Sequence, residues 1–155
     1  MYRFYFGLVL ILLSSSLCVV AQDGEVILNY HSEIVVQPEG SLNVTEDIEV
    51  RSLGHDINRG IFRSFPVRYR DKHNNQISVG FEVLEVKKNG IKEPFKVIRQ
   101  GDYEIIKIGD ENTILEPGIY AYSIVYETNR QIGFFKDFDE LYWNAIGADW
   151  SFPII

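Results

Sequence analysis

Seven side chains carry the groups that a binding or reactive site would need: Arg59, Arg63, Tyr142, Trp143, Asn144, Asp149 and Trp150. Arg59 and Arg63 stand four residues apart in a stretch that turns apolar, Arg59-Gly60-Ile61-Phe62-Arg63-Ser64-Phe65-Pro66. Two guanidiniums so spaced can receive an anion together, whereas an arginine among apolar neighbours is more simply explained by pairing with a carboxylate. Glu46 and Asp149 are the candidates for Arg63. The other five residues lie between Glu140 and Ile154, where both tryptophans stand seven residues apart with Tyr142 and Phe152 outside them. Rings this dense either fill a core or offer flat faces to a ligand such as a sugar. The core is the favoured reading, with a carbohydrate-binding surface on Tyr142, Trp143 and Trp150 as the alternative. A third chemistry would set Glu46 against Asp149 as the paired carboxylates of a hydrolase.

Metal and cofactor chemistry find no support. His31, His55 and His73 fall in different segments without ligand spacing. Gly109-Asp110-Glu111-Asn112 holds too few acidic ligands for a calcium loop and reads as a surface turn. No catalytic motif is visible, so the chain is expected to be non-enzymatic, with no metal and no cofactor.

The elements that must position these groups are strands. Leu42, Val44, Ile48 and Val50 alternate with polar residues over ten positions, the period of a half-buried strand. With Val26 to Val36 and the turn Pro38-Glu39-Gly40-Ser41, it forms an antiparallel hairpin. Glu46 falls on the apolar side of that alternation. It is either an edge carboxylate reaching water or a buried acid paired with an arginine. Leu53 to Tyr69 reads as a long loop entering a short edge strand, because Pro66 would cost a central strand a ladder hydrogen bond. Ile77 to Val86 reads as one strand of about ten residues. Asn89-Gly90 then turns it toward a partner over Glu93 to Arg99. Tyr103 to Ile108 follows. Ile119 to Tyr126 suits a central strand, its stripe of Tyr120, Tyr122 and Tyr126 being packing rather than a sugar platform. Asn129 to Glu140 is expected as a loop or a short helical turn. The sum is an all-β chain with few or no helices, an antiparallel β-sandwich of immunoglobulin-like or jelly-roll-like type.

Length and charge bound the rest. The 155 residues, 46% apolar, suffice for one core. A formal net charge of −7 argues against nucleic acid and against a bare anionic membrane surface. Residues 1–21 read as a cleaved signal peptide: Arg3, an apolar run from Phe4 to Leu13, then a Val-x-Ala site ending at Ala21. Retention of that run as a membrane anchor is the lesser reading. Cleavage removes Arg3 and Cys18, the one cysteine, and leaves an exported single domain over residues 22–155 without a disulfide.

Five pieces occur in order: Gly40-Ser41-Leu42-Asn43-Val44-Thr45-Glu46; Arg59 to Pro66; Ile108-Gly109-Asp110; Pro117-Gly118 with Tyr120, Tyr122, Ile124 and Tyr126; and Tyr142-Trp143-Asn144 with Gly147, Asp149, Trp150, Pro153 and Ile154. Together they resemble the domain of unknown function 2207 of predicted bacterial and archaeal membrane proteins. The resemblance implies a signal peptide, an extracytoplasmic β-rich domain, a transmembrane helix and a tail. It supplies no activity and no catalytic residue. Ile155 follows directly on Pro153-Ile154, so the expectation is a chain missing its C-terminal strand or strands and the transmembrane segment that would tie it to the membrane. The function expected is an extracytoplasmic interaction or sensing module of the cell envelope, its partner an envelope protein or a ligand of unknown kind.

Overall fold

The computed structural model of the chain describes residues 24–70, 74–147 and 150–155. The expected signal peptide, the tip of the turn at 71–73 and Asp149 lie outside the described residues. Strands run in the order β1 (Val26–Val36), β2 (Leu42–Ser52), β3 (Ile61–Pro66), β4 (Arg68–Arg70), β5 (Gln76–Ser78), β6 (Phe81–Lys88), β7 (Ile91–Lys92), β8 (Phe95–Gln100), β9 (Tyr103–Ile108), β10 (Gly118–Thr128), β11 (Ile132–Phe134) and β12 (Asp139–Leu141). None of the described residues is helical, and every strand ladder is antiparallel. The fold is all-β.

A five-stranded sheet has the order β1-β2-β10-β6-β7, and a three-stranded sheet the order β3-β9-β8. Two small ribbons, β4-β5 and β11-β12, flank them. The alternation in β2 places Leu42, Val44, Ile48 and Val50 in the core, and Tyr122, Ile124 and Tyr126 of β10 join them. The shorter sheet contributes Ile61, Phe65, Ile106 and Ile108 to the same cluster. Removing one of these large aliphatic side chains, as in Ile48→Ala, would cost about 2–5 kcal/mol in lost contacts and cavity.

The β1–β2 hairpin, the edge position of β3 and the central position of β10 are as expected. Three segments differ. The run from Ile77 to Val86 is broken at Gly80, whose N–H donates to Asn129 Oδ1 at 2.7 Å and whose carbonyl accepts the Thr128 hydroxyl at 2.7 Å. β5 therefore pairs with β4, and β6 enters the large sheet beside β10. After the Asn89-Gly90 turn, where both residues have positive φ (50° and 78°), Ile91 and Lys92 pair back onto β6 and the Glu93 N–H donates to the Val86 carbonyl at 2.9 Å. Pro94 then lets the chain cross, and β8 pairs with β9 in the other sheet. Between Asn129 and Glu140 the chain forms the β11–β12 hairpin, not a loop or a helical turn. Its tip is closed by the Phe135 N–H donating to the Phe138 carbonyl at 3.0 Å.

The last residues return to the first strand. The Ile27 N–H donates to the Pro153 carbonyl at 2.9 Å, and the Ile155 N–H donates to the Ile27 carbonyl at 3.1 Å, forming a parallel bridge between Ile27 and Ile154.

Candidate functional site

The side chain at the centre of the molecule is Arg63. In β3, alternation turns Ile61, Arg63 and Phe65 toward the core and Phe62 and Pro66 away from it. In β2, the same periodicity turns Glu46 inward. The strands belong to different sheets, so the two side chains meet across the core. Arg63 Nε donates to Glu46 Oε2 and Nη2 to Oε1, both at 2.8 Å, a side-on pairing of two buried groups. The Tyr126 hydroxyl donates to Glu46 Oε1 at 2.7 Å, and Arg63 Nη1 donates to the Ser64 carbonyl. β2 lies between β1 and β10, so Glu46 is no edge carboxylate; of the two readings left open for it, the buried ion pair is the one found.

These contacts supply what two desolvated charges need. Burial alone would lower the Arg63 guanidinium, but the Glu46 carboxylate outweighs it and holds Arg63 firmly charged. Burial pushes the Tyr126 phenol well above its ordinary value, and the neighbouring Glu46 charge pushes the same way. Tyr30 of β1 has its hydroxyl buried beside the pair. Burial raises it too, with Arg63 and Glu46 pulling in opposite directions.

The terminal stretch closes over this cluster. The Trp150 ring lies against the Arg63 guanidinium, 5.6 Å from its centroid, and meets Tyr30 edge-on at 5.8 Å. Its Nε1–H donates to the Ile146 carbonyl at 2.7 Å. Asn144 Oδ1 accepts the Gly147 N–H at 3.2 Å, turning the chain so that Gly147 faces Arg63. Gly147 has φ +79°, and a Cβ there would stand 2.7 Å from Arg63 Nη1. Trp143 packs on Phe65, with ring centroids 5.8 Å apart, and its indole N–H is buried without an acceptor. Both indoles are thus half-turned into the core.

Of the seven residues singled out from sequence, Arg63, Tyr142, Trp143 and Asn144 line one groove of about 430 Å³. Trp150 rests on Arg63 but lines another groove, with Phe62, Ile105 and Phe152, and Asp149 lies outside the described residues. Arg59 is elsewhere, in a second groove with Phe62, Lys107 and Asp110, while Arg63 is committed to Glu46. The two arginines form no shared anion site. The groove adds residues that sequence reasoning missed: Pro66, Tyr69, Tyr103 and Gln131. Tyr103 reaches it because β9 pairs it with Pro66, and Tyr69 through the β4 ribbon. Tyr142 is 86% exposed at the rim, and Tyr69 and Tyr103 are partly exposed. Three phenols over an apolar floor suit an extended or flat ligand held by stacking and a few hydrogen bonds. Among the described residues, no group of three His, Cys, Asp or Glu side chains converges.

A second polar device sits at the start of β1. The Glu25 carboxylate accepts N–H bonds from Leu53, His55, Asp56 and Ile57 at 2.8–3.2 Å, clamping the loop before β3. Burial works to raise this carboxyl, but the four donors prevail and hold it below its ordinary value.

Among the described residues, no helix is long and apolar enough to cross a membrane. Comparison with curated proteins finds the Uncharacterized protein YciQ of Escherichia coli (strain K12), 28% identical over 122 residues. That match covers 79% of this chain and 19% of YciQ, so the chain spans less than a fifth of its relative's length. No solved structure gives a significant match. Residues 26–155 match the family described as "Predicted membrane protein (DUF2207) N-terminal domain", and the chain belongs to that family.

Proposed function

We propose that this chain is a non-enzymatic binding module of a membrane protein, exported to the extracytoplasmic side, and that the groove of Tyr69, Tyr103, Tyr142 and Trp143 is its site. The observation that carries this reading is the groove itself: about 430 Å³, floored by Phe65 and Pro66 and rimmed by exposed tyrosines. Its back wall is held by the Arg63–Glu46 pair, so the rings are presented by a rigid support. The ligand in this reading is an extended segment of an envelope protein. The residues 22–155 act as one exported unit, following cleavage of a signal peptide over residues 1–21.

A non-enzymatic role is favoured by the state of Glu46. Its carboxylate is out of reach of solvent and engaged by Arg63 and Tyr126, which leaves it unsuited to proton transfer or nucleophilic attack. A carbohydrate is the second reading. It draws on the exposed ring of Tyr142, since stacking on a sugar needs an open face, with Tyr69 and Tyr103 in place of the half-buried indoles.

The test is capture of envelope polypeptides on the immobilised chain, followed by titration of the captured polypeptide against the fluorescence of Trp143. Tyr69→Ala, Tyr103→Ala and Tyr142→Ala combined should abolish both. Equal capture and titration by the variant would overturn the groove as the site. A response to peptidoglycan fragments alone would replace the protein ligand by the sugar.

A further inference from the structure

The β11–β12 hairpin ends in a feature that the groove does not use. Phe134, Phe135 and Phe138 flank the two-residue turn Lys136-Asp137 and are 70%, 48% and 60% exposed. Phe135 and Phe138 stack on each other, 4.9 Å between centroids. The Phe135 ring lies over Gly133, and the Phe134 ring over Gly40 in the β1–β2 turn, so the tip is braced against the body. Val35 and Val36, at the end of β1 that leads into that turn, are about half exposed. Water is a poor solvent for so much apolar surface in one place, and such patches mark contact with another phase or partner.

We propose that this hairpin tip dips into the interfacial region of a lipid bilayer with zwitterionic headgroups, burying Phe134, Phe135 and Phe138. Three observations favour lipid. The chain belongs to a family described as the N-terminal domain of a predicted membrane protein. The tip is a narrow two-stranded projection of three rings, too small for the roughly 800 Å² that each side of a standard protein interface buries, yet sufficient for shallow insertion. The hairpin also suits the hydrated interface rather than the hydrocarbon core: β11 and β12 pair with each other and Phe135 N–H to Phe138 O closes the end, while shallow insertion leaves their outer edges in reach of water.

Charge selects the headgroup. Lys136 stands at the apex, where its amine can reach a phosphate while its stem lies along the rings. Asp137, Asp139 and Glu140 follow it, and the chain carries −7 overall. A strongly anionic surface is therefore repelled, and a zwitterionic one is not.

The test places a polarity-sensitive nitrobenzoxadiazole label at the tip, on Asp137→Cys in a Cys18→Ser background of the full chain, with phosphatidylcholine vesicles as the probe. A tip label separates insertion here from any partitioning through the apolar residues 4–13. The label should brighten and shift to the blue on vesicles. Phe134→Ser, Phe135→Ser and Phe138→Ser combined should weaken the partitioning that the label reports by roughly a hundredfold or more, as expected for three aromatic side chains. Phe138→Ser alone, which spares the Phe134–Gly40 contact, should weaken it about tenfold. No response of the label to vesicles would overturn the proposal, as would an unchanged response in either variant. A stronger response to phosphatidylglycerol than to phosphatidylcholine would overturn the zwitterionic assignment. A response that rises with protein concentration in the absence of lipid would assign the tip to a second copy instead.

Discussion

Arg63 and Glu46 meet side-on across the core, each buried and each on a different sheet, with two hydrogen bonds of 2.8 Å between them. The pair therefore joins the sheets as well as neutralising two charges. Removing either partner leaves the other charge desolvated and unpaired. Glu46→Gln or Arg63→Met should each lower stability by about 3–5 kcal/mol in urea unfolding. The double change Glu46→Leu with Arg63→Met should recover much of that loss, because two apolar side chains of similar volume can replace a buried ion pair. A double variant as unstable as the sum of the singles would contradict this account.

Gly147 is fixed by what lies opposite it. With φ +79° and Arg63 Nη1 at 2.7 Å from where a Cβ would sit, Gly147→Ala must strain the backbone or push the guanidinium off Glu46. The expected cost is about 1–3 kcal/mol. The same variant should alter Trp150 emission, since the indole rests on the displaced guanidinium. Unchanged stability and emission would show that the loop accommodates the methyl group freely.

Glu25 carries a pH dependence. Its carboxyl is held below its ordinary value of about 4.5, so the folded chain favours the ionised form. Its contribution is fully present above that value and is lost as pH falls through the lower, folded value. Glu25→Gln keeps the shape but halves the acceptors facing four N–H donors. It should cost about 1–3 kcal/mol at neutral pH and flatten the loss of stability below pH 4.5. Parallel stability curves for the two proteins between neutral and acid pH would exclude a role for this carboxylate.

Tyr142 should separate binding from folding. The side chain is 86% exposed, so Tyr142→Ala should move the thermal midpoint little, corresponding to a change within about 0.5 kcal/mol. Ligand affinity at the groove should fall at least tenfold in the same variant, as for an aromatic anchor. Loss of stability without loss of affinity would make the ring a packing element.

What could be read from sequence was local. Leu42 to Ser52 declared its two faces by alternation, Asn89-Gly90 its turn, and the Tyr120–Tyr126 stripe its inward side. Periodicity does not say which sheet a strand joins. Ile77 to Val86 therefore looked continuous, although Gly80 passes the chain from one ribbon to another sheet, and Pro94 does the same before β8. Asn129 to Glu140 hid a hairpin because three phenylalanines stay exposed there instead of alternating with polar residues. The site divided along the same line. Glu46 and Arg63 were conspicuous as charges among apolar neighbours, and pairing them was one of the open alternatives. Tyr69 and Tyr103 carried no signal, since only the pairing of Pro66 with Tyr103 and the fold of the β4 ribbon bring them to Tyr142.

The bridge between Ile27 and Ile154 has a mechanical meaning. The strand segments it joins are parallel and lie at the beginning and the end of the described fold. Tension drawn between Val26 and Ile155 would slide one segment along the other, so the hydrogen bonds Ile27–Pro153 and Ile155–Ile27 would bear the load at the same moment, not in succession. Trp150, three residues before Pro153, rests on Arg63. A pull along this line would have to break the bridge before it reached the ion pair that joins the two sheets.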